Sequence, residues 1–252
     1  MRLIEAADYQ DMSRKAAAFI EAAIAEKPDL ILGLATGGTV TGTYEQLIRD
    51  FRSGKVTFQR AASFNLDEYE GMQKEDRNSY HYYMEENFFK HVDFQKGKNH
   101  LPDGMAQDME EACREYDRLM EEYGGIDLQL LGIGENGHIG FNEPGTAFET
   151  KTHLVRLTPS TKAANARYFN SAEEVPDRAV TMGIASILKS RQILLLASGM
   201  KKADILQKLA DEEVTEDIPA TVLKQHSNVV IIADKDALSK LTKEQKKVLG
   251  HD

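Results

Sequence analysis

The sequence has little of what would mark a disulfide-bonded, membrane-embedded or nucleic-acid-binding protein. Cys113 is the only cysteine, so no internal disulfide can form, which suits a reducing compartment. No stretch approaches the roughly 20 apolar residues of a membrane span, and the N-terminus MRLIEAADYQD turns polar too early for a signal peptide. Lysine and arginine number 31 against 41 acidic residues, and a net charge of −10 argues against a nucleic-acid surface. These absences predict a cytoplasmic protein that binds neither nucleic acid nor membrane.

The composition that remains is that of an ordinary globular protein. Of the 252 residues, 41% are hydrophobic and 29% are charged. No repeat of about 20–50 residues, low-complexity tract or Pro/Ser-rich linker divides the chain. We therefore expect one domain over residues 1–252. A small anionic ligand is compatible with the net charge, because a phosphate needs only a few local donors.

Strand-like and helix-like patterns alternate along the chain. Five short, mostly apolar runs predict strands: Leu30–Leu34, Ala61–Asn65, Leu128–Ile133, Gln192–Ala197 and Asn228–Ala233. Helical patterns separate them: Tyr9–Glu26, Thr41–Arg52, Ser79–Lys90, Met105–Glu122, Ser160–Tyr168, Met182–Lys189 and Lys201–Asp211. The alternation predicts an α/β fold with a doubly wound, mainly parallel, Rossmann-like sheet and helices on both faces. In such sheets ligands bind at the carboxyl ends of the strands, so the loops that follow them should carry the chemistry.

The loop after the first predicted strand is rich in glycine and threonine. Thr36, Gly37, Gly38 and Thr39 open a helix there, and free amides at a helix start favour an anion such as phosphate. The alternative is a glycine turn with a threonine N-cap. The loop matches neither the Walker pattern nor GxGxxG, which favours a simple phosphate ester over a nucleotide.

Two further loops carry groups that can move protons. Asp67 follows the second strand, where partial burial would raise its pKa toward that of a useful base; alternatively, Asp67 or Glu68 caps the following turn. The loop Gly132–Pro144 is glycine-rich and presents His138 and Glu143, and a nearby carboxylate can fix the tautomer of a histidine. A metal site is disfavoured because no second histidine or cysteine lies close by.

Two basic residues are candidates for holding a phosphate. Lys202 stands in the first turn of a predicted helix, where its charge opposes the helix dipole unless it faces an anion. Arg167 lies in the polar segment Leu157–Arg178, bounded by Pro159 and Pro176, which predicts an excursion from the sheet. A guanidinium on such a segment can close over a phosphate with two hydrogen bonds. For both residues an ordinary surface position is the alternative.

In this order, the motifs resemble the glucosamine-6-phosphate deaminase family. The segments that carry the resemblance are LGLATGGTVTGTY, FNLDEYEGM, NSYHYYM, LLGIGENGHIGFNEPGT, ANARYF, VTMGI and SGMKKA. They run from about Leu30 to Ile232, and the GHIGFNEP stretch is highly specific. Relatives that hydrolyse 6-phosphogluconolactone share the layout, but FNEP and NLDEY favour the deaminase.

The resemblance implies a role for each candidate residue and no cofactor or metal. Asp67 would move the proton between C2 and C1, and His138 would assist ring opening while Glu143 orients it. Asn136 stands where some relatives carry Asp, so the pKa of His138 should be raised less than in those relatives. The sugar phosphate, the expected partner, would be held by Thr36, Gly37, Gly38, Thr39, Arg167 and Lys202 beneath a lid formed by Leu157–Arg178.

This chain departs from the family pattern at the turn that follows GGT and at the positions that bind an allosteric activator in some relatives. Val40 replaces the proline usual after GGT, which should loosen the turn without removing an N–H group. Allosteric hexameric relatives use basic side chains shortly after FNEP to bind an N-acetylamino-sugar phosphate, and this chain has His153 and Val155 there. We expect weak or absent activation by N-acetylglucosamine 6-phosphate, in a monomer or low-order homo-oligomer.

Two other functions compete with this interpretation. A related sugar-phosphate enzyme such as a 6-phosphogluconolactonase would not release ammonia from glucosamine 6-phosphate. A non-enzymatic sugar-phosphate sensor would need a DNA-binding module, and no basic helix-turn-helix precedes Leu30. The aromatic run Tyr80–Tyr83, followed by Phe88 and Phe89, reads as core packing, with Tyr80 or His81 bordering the site.

Overall fold

A seven-stranded parallel sheet forms the centre of the molecule, and a three-stranded antiparallel sheet stands beside it. The computed structural model describes residues 1–169 and 171–251. The large sheet contains β1 (Arg2–Ala6), β2 (Ile31–Leu34), β3 (Ala62–Asn65), β5 (Asn99–His100), β6 (Leu128–Gly132), β9 (Gln192–Ala197) and β10 (Val229–Asp234). The small sheet contains β4 (Asp67–Tyr69), β7 (His153–Arg156) and β8 (Arg178–Thr181). The order of the large sheet is β1-β10-β9-β6-β2-β3-β5, and that of the small sheet is β4-β8-β7.

Eight α-helices connect the strands in the described ranges. They are α1 (Tyr9–Glu26), α2 (Gly38–Arg52), α3 (Tyr80–Asn87), α4 (Met109–Glu122), α5 (Pro159–Asn165), α6 (Ile184–Leu188), α7 (Ala203–Asp211) and α8 (Lys243–Val248). Short 3₁₀ turns span Phe89–His91, Ala166–Tyr168, Ala172–Glu174, Met200–Lys202 and Pro219–Gln225. No helix in the described part of the chain has the length and apolar character needed to cross a membrane.

The central strands are buried along their whole length, which confirms a parallel sheet covered on both faces. Every residue of β10 is buried, and Leu194, Leu195 and Leu196 of β9 have no exposed surface. Because successive side chains of a strand point to opposite faces, burial of all of them requires packing on both sides. Helix α1 covers part of the sheet with a stripe repeating every fourth residue, Met12, Ala16, Ile20 and Ile24.

Helices α2 and α4 begin at residues other than those predicted, and their N-cap residues explain the difference. Helix α2 begins three residues earlier than predicted, at Gly38, because Gly37 is the N-cap with φ of 97° and no side-chain cap hydrogen bond. The alternative of a threonine N-cap is therefore wrong. Helix α4 begins at Met109 and not at Met105, since the side chain of Asp108 accepts from the backbone N–H of Glu111.

The small sheet places one strand directly at the ligand edge of the large sheet. Only Leu66 separates β3 from β4; its N–H donates to the Leu34 carbonyl (3.1 Å) and its carbonyl accepts from Met182 (2.6 Å). Between β7 and β8 the chain passes through α5 and the adjoining 3₁₀ turns, which make up the segment predicted as a lid. Its residue Asn170 lies outside the described residues. Leu157 and Ala179 at the ends of this segment pack with Tyr69 in a second hydrophobic cluster.

Candidate active site

A cavity of about 1060 Å³ lies at the carboxyl ends of β2, β3, β6 and β9. All four loops predicted to carry chemistry line it, together with the lid segment. Nine of the ten candidate residues line this cavity: Thr36, Gly37, Gly38, Thr39, Asp67, Asn136, His138, Arg167 and Lys202. The tenth, Glu143, is buried behind His138. The fold thus brings residues more than 160 positions apart in sequence to one site, as the strand-end rule predicts.

The loop 36–39 offers unpaired backbone donors to the cavity. None of the backbone N–H groups of Thr36, Gly37, Gly38 and Thr39 donates a hydrogen bond within the described residues. They precede or begin helix α2, whose dipole adds positive potential at the same point. Val40, in place of the usual proline, donates its N–H to the Gly37 carbonyl at 3.3 Å, so it closes the turn and is not an anion donor. The arrangement suits a phosphate.

Asp67 presents an uncompensated carboxylate to the cavity. It is the first residue of β4, paired with Thr181 of β8, and it is 7% exposed. Within the described chain its carboxylate accepts no hydrogen bond and forms no ion pair. Burial, and secondly the neighbouring charge of Glu68, raise the pKa of Asp67 to about 8. The prediction of a raised pKa is confirmed, and the group can exchange a proton near neutral pH.

Glu68 caps backbone N–H groups, which was the alternative role proposed for this acidic pair. Its fully buried carboxylate accepts from the backbone N–H groups of Tyr69, Tyr80 and His81 at 2.8–3.0 Å. It also lies 2.8 Å from His81 Nδ1. Glu68 therefore binds the start of α3, while Asp67 stays unpaired.

His138, Asn136 and Glu143 form a hydrogen-bonded chain that defines the tautomer of the histidine. Asn136 Nδ2 donates to Glu143 Oε2 at 2.8 Å, because a carboxylate can only accept. The amide oxygen Oδ1 then faces His138 Nδ1 at 2.7 Å and accepts a hydrogen bond from the Nδ1–H group. The other ring nitrogen, Nε2, is therefore left with its lone pair. Glu143 Oε2 lies 3.7 Å from His138 Nδ1, so the amide mediates the contact between them.

The environment of His138 favours the neutral ring. Burial lowers its pKa, the carboxylate of Glu143 opposes this, and the nearby charge of Lys202 lowers the pKa further. The expected difference between an asparagine and an aspartate at position 136 stays a prediction. A neutral imidazole with a free Nε2 can accept a proton.

The second oxygen of Glu143 binds the lid segment. Glu143 Oε1 accepts from Thr158 Oγ1 at 3.2 Å and from Thr161 Oγ1 in a shorter contact. Thr158 is also the N-cap of α5, where its hydroxyl accepts from the Thr161 N–H. One carboxylate thus connects the histidine chain to the helix that covers the cavity.

Lys202 and Arg167 approach the loop 36–39 from two sides. Burial lowers the pKa of Lys202, whose ammonium forms no hydrogen bond or ion pair in the described residues. The turn before it is fixed by Asp234, which accepts from Ser198 Oγ and from the Gly199 N–H (3.0 Å). Arg167 is exposed and stacks over the Tyr168 ring at 4.8 Å; a Cβ added at Gly38 would lie 3.8 Å from its guanidinium. Both positive charges thus border the same part of the cavity.

Several contributing residues were not predicted. Asp234, Thr158 and Thr161 carry no sequence motif and are recognised only through their contacts. Tyr80 lines the cavity, as predicted for either Tyr80 or His81. Phe88 and Phe89 belong to the hydrophobic core. Among the described residues no group of three or more His, Cys, Asp or Glu could hold a metal ion.

Comparison with known proteins agrees with this site. The family model for glucosamine-6-phosphate isomerases and 6-phosphogluconolactonases matches residues 5–232. A glucosamine-6-phosphate deaminase of Geobacillus sp. (strain WCH70) is 55% identical over 248 residues, which cover 98% of this chain and 99% of the relative. A solved structure described as a monomeric glucosamine-6-phosphate deaminase has a TM-score of 0.94 at 48% identity and covers 96% of this chain and 100% of its own. The 6-phosphogluconolactonase of Thermotoga maritima, at 20% identity and a TM-score of 0.73 with 93% and 99% covered, shares the fold alone. The chain belongs to the glucosamine-6-phosphate isomerase and 6-phosphogluconolactonase family, and within it the resemblance to the glucosamine-6-phosphate deaminases is confirmed.

Proposed function

We propose that this protein converts glucosamine 6-phosphate and water into fructose 6-phosphate and ammonia. The observation that carries the proposal is the unpaired, buried carboxylate of Asp67, which shares one cavity with a neutral histidine and a loop of free amides. A base, a proton acceptor for ring opening and an anion site are the parts that this reaction needs. The relatives named as deaminases at about half identity support the same substrate.

Ring opening is the step proposed for His138. Its Nε2 lone pair accepts the proton of the C1 hydroxyl, and the same proton passes to the ring oxygen as the C1–O5 bond breaks. Glu143, acting through Asn136, stabilises the positive charge that the ring carries in between. The product is the open-chain aldehyde.

Isomerisation and loss of ammonia follow at C2 and C1. Asp67 removes the C2 proton, which becomes acidic beside the aldehyde, while the C2 ammonium group of the substrate gives a proton to the C1 oxygen, and the product is a neutral enolamine. Asp67 then returns its proton to C1. The iminium formed at C2 then adds water and expels ammonia, which leaves the ketone of fructose 6-phosphate. A carboxylate with a pKa of about 8 is a stronger base than an exposed aspartate, which favours the first of these transfers.

The phosphate group is assigned to the amides of 36–39, Lys202 and Arg167. These donors bind the phosphate, which is remote from the reacting carbons, so their binding energy can be used to orient those carbons. Closure of Leu157–Arg178 would bring Arg167 onto the phosphate and exclude water. We further infer a cytoplasmic, monomeric enzyme, in line with the relative described as monomeric.

Ammonia release from glucosamine 6-phosphate tests this function. The wild type should release ammonia, whereas Asp67→Asn should abolish turnover and His138→Gln should slow it roughly 100-fold, as expected for loss of general acid–base catalysis. Asp29→Asn, an exposed aspartate outside the cavity, is the matched control and should behave as wild type. Near-normal rates for both cavity variants, or hydrolysis of 6-phosphogluconolactone without ammonia release by the wild type, would refute the proposal.

A further inference from the structure

Three tyrosine hydroxyls hold the carbonyl groups of the glycine loop. Tyr44 donates to the Ala35 carbonyl at 2.5 Å, and Tyr83 donates to the Gly37 carbonyl at 3.1 Å. Tyr9 donates to the Gly38 carbonyl at 2.8 Å. The three donors come from helices α2, α3 and α1, so the loop is fastened from three sides.

Fixing a carbonyl also fixes the amide of the same peptide unit. The described chain contains no cis peptide, and in a planar trans peptide the C=O and N–H bonds point in opposite directions. The carbonyls of residues 35, 37 and 38 belong to the same units as the N–H groups of Thr36, Gly38 and Thr39. Those N–H groups donate to nothing in the described residues and lie at the cavity. The tyrosine hydroxyls therefore orient these three N–H groups away from the tyrosines and toward the cavity.

Tyr9 contacts two groups of the first turn of helix α2. Its hydroxyl donates to the Gly38 carbonyl and accepts from the Gly42 N–H, each at 2.8 Å. Gly38 and Gly42 are four residues apart, and these two groups are the ones that pair with each other in an α-helix. A Cβ at Gly42 would lie 3.0 Å from the Tyr9 hydroxyl and 2.5 Å from Ser13 Oγ, so only glycine leaves room for this contact.

We propose that Tyr9 and Tyr83, with Tyr44 beneath them, are positioning residues that set the affinity of the loop for phosphate. The inference rests on the proposed function for the identity of the substrate, but it concerns the anion site by itself. Without the Tyr9 hydroxyl, the Gly38 carbonyl loses a donor from outside helix α2, and the Thr39 amide of the same peptide unit is held less firmly toward the anion. Without the Tyr83 hydroxyl, the Gly37 carbonyl keeps Thr41 Oγ1 and the Val40 N–H as donors, so the Gly38 amide loses one of three constraints.

The test compares Tyr9→Phe and Tyr83→Phe with wild type in two measurements. The first is the inhibition or dissociation constant of inorganic phosphate, and the second is the separate KM and kcat for glucosamine 6-phosphate. Each variant should raise the phosphate constant and KM about fivefold to tenfold, the effect of losing one hydrogen bond. The kcat should stay within roughly twofold, because the phosphate is bound equally in the ground and transition states.

Tyr123→Phe is the matched control, since it removes a hydroxyl whose 3.0 Å partner is His100, outside the cavity. It should leave the phosphate constant and KM at wild-type values. If the tyrosines only stabilised the fold, their variants would lower the melting temperature and the active fraction without changing the phosphate constant, and that result would overturn the inference. A wild type that releases no ammonia would refute the proposed function, yet the phosphate constants of the variants would still decide the role of the tyrosines.

Discussion

At the scale of single residues, the carboxylate of Asp67 is buried and accepts no hydrogen bond from the described residues. This arrangement lowers the stability of the folded state when the carboxylate is charged. Its pKa in the folded chain is about 8, whereas in the unfolded chain it returns to the ordinary value of 3.8. Between these two values the folded state carries a proton that the unfolded state has released. The free energy of unfolding contributed by Asp67 therefore falls as the pH rises from about 4 to 8.

Asp67→Asn removes this pH-dependent penalty. The variant should be more stable than wild type, and its advantage should grow by about 4 kcal/mol between pH 5 and pH 8, at about 1.4 kcal/mol per pH unit. Urea unfolding of both proteins at the two pH values measures the difference. Asp29→Asn, which changes an exposed carboxylate, should give no such trend, and parallel curves for Asp67→Asn and wild type would contradict the raised pKa.

Residue type and position alone could not separate Asp67 from Glu68; only the family resemblance pointed to Asp67. Both acids stand in NLDEY after a strand, and the difference arises from what packs around them: Glu68 faces the start of α3, twelve residues later, while Asp67 faces the cavity. His138 and Glu143 could be predicted because they lie close together in one glycine-rich loop of the sequence. Tyr9 could not, because its partner Gly38 is 29 residues away and no local pattern records the contact.

At the scale of elements, five apolar strands of the large sheet were predicted, whereas β1, β5 and the small sheet were not. Strands β4, β7 and β8 have three or four residues each, and those of β7 are only partly buried or exposed. Such strands lack a continuous apolar run and are defined mainly by pairing with distant partners. The prolines and the polarity of the lid segment predicted an excursion from the sheet. Its attachment to Glu143 could not be predicted, because nothing in the sequence distinguishes Thr158 and Thr161 from other threonines.

The attachment of helix α5 makes Thr161 a test of how the lid and the histidine are coupled. Thr161→Val removes one donor to Glu143 Oε1 and leaves Thr158 and Asn136 in place. A hydrogen bond to a charged group contributes about 1.5–3 kcal/mol, so kcat/KM should fall by at least roughly tenfold. Hydrogen exchange of the backbone amides of α5 should become faster at the same time.

Thr161→Ser is the conservative variant and should restore most of the activity and protection, because it keeps the hydroxyl. Asp177→Asn serves as a control on the same segment, since it breaks the exposed ion pair with Lys162 (2.6 Å), a type of contact worth little. Faster exchange in Thr161→Val with unchanged kcat/KM would separate the lid from the catalytic histidine.

At the scale of the whole molecule, the net charge of −10 coexists with a local site for an anion. The free amides of 36–39 and the cations Lys202 and Arg167 supply positive potential where it is needed, while acidic residues elsewhere keep the surface negative. Overall charge therefore argues against a nucleic-acid surface and leaves a phosphorylated substrate possible.

Regulation also belongs to this scale, and we expect weak or absent activation by N-acetylglucosamine 6-phosphate. His153 lies in β7 with Nδ1 2.9 Å from the Lys151 carbonyl, and burial lowers its pKa, so it offers no stable cation to a phosphate at neutral pH. Val155 carries no charge. Allosteric activation requires two global states that the effector distinguishes, and the monomeric form that we propose would have no subunit interface to supply them.

Saturation curves for glucosamine 6-phosphate should therefore be hyperbolic and should coincide with and without the N-acetylated sugar phosphate. Light scattering under the assay conditions should give the mass of one chain. Inorganic phosphate, added as a competing anion at the same concentrations, controls for simple inhibition at the active site, which would raise KM without changing the shape of the curve. A sigmoidal curve that the effector makes hyperbolic would contradict the prediction, because it would require the second state that a single subunit with His153 and Val155 lacks the means to stabilise.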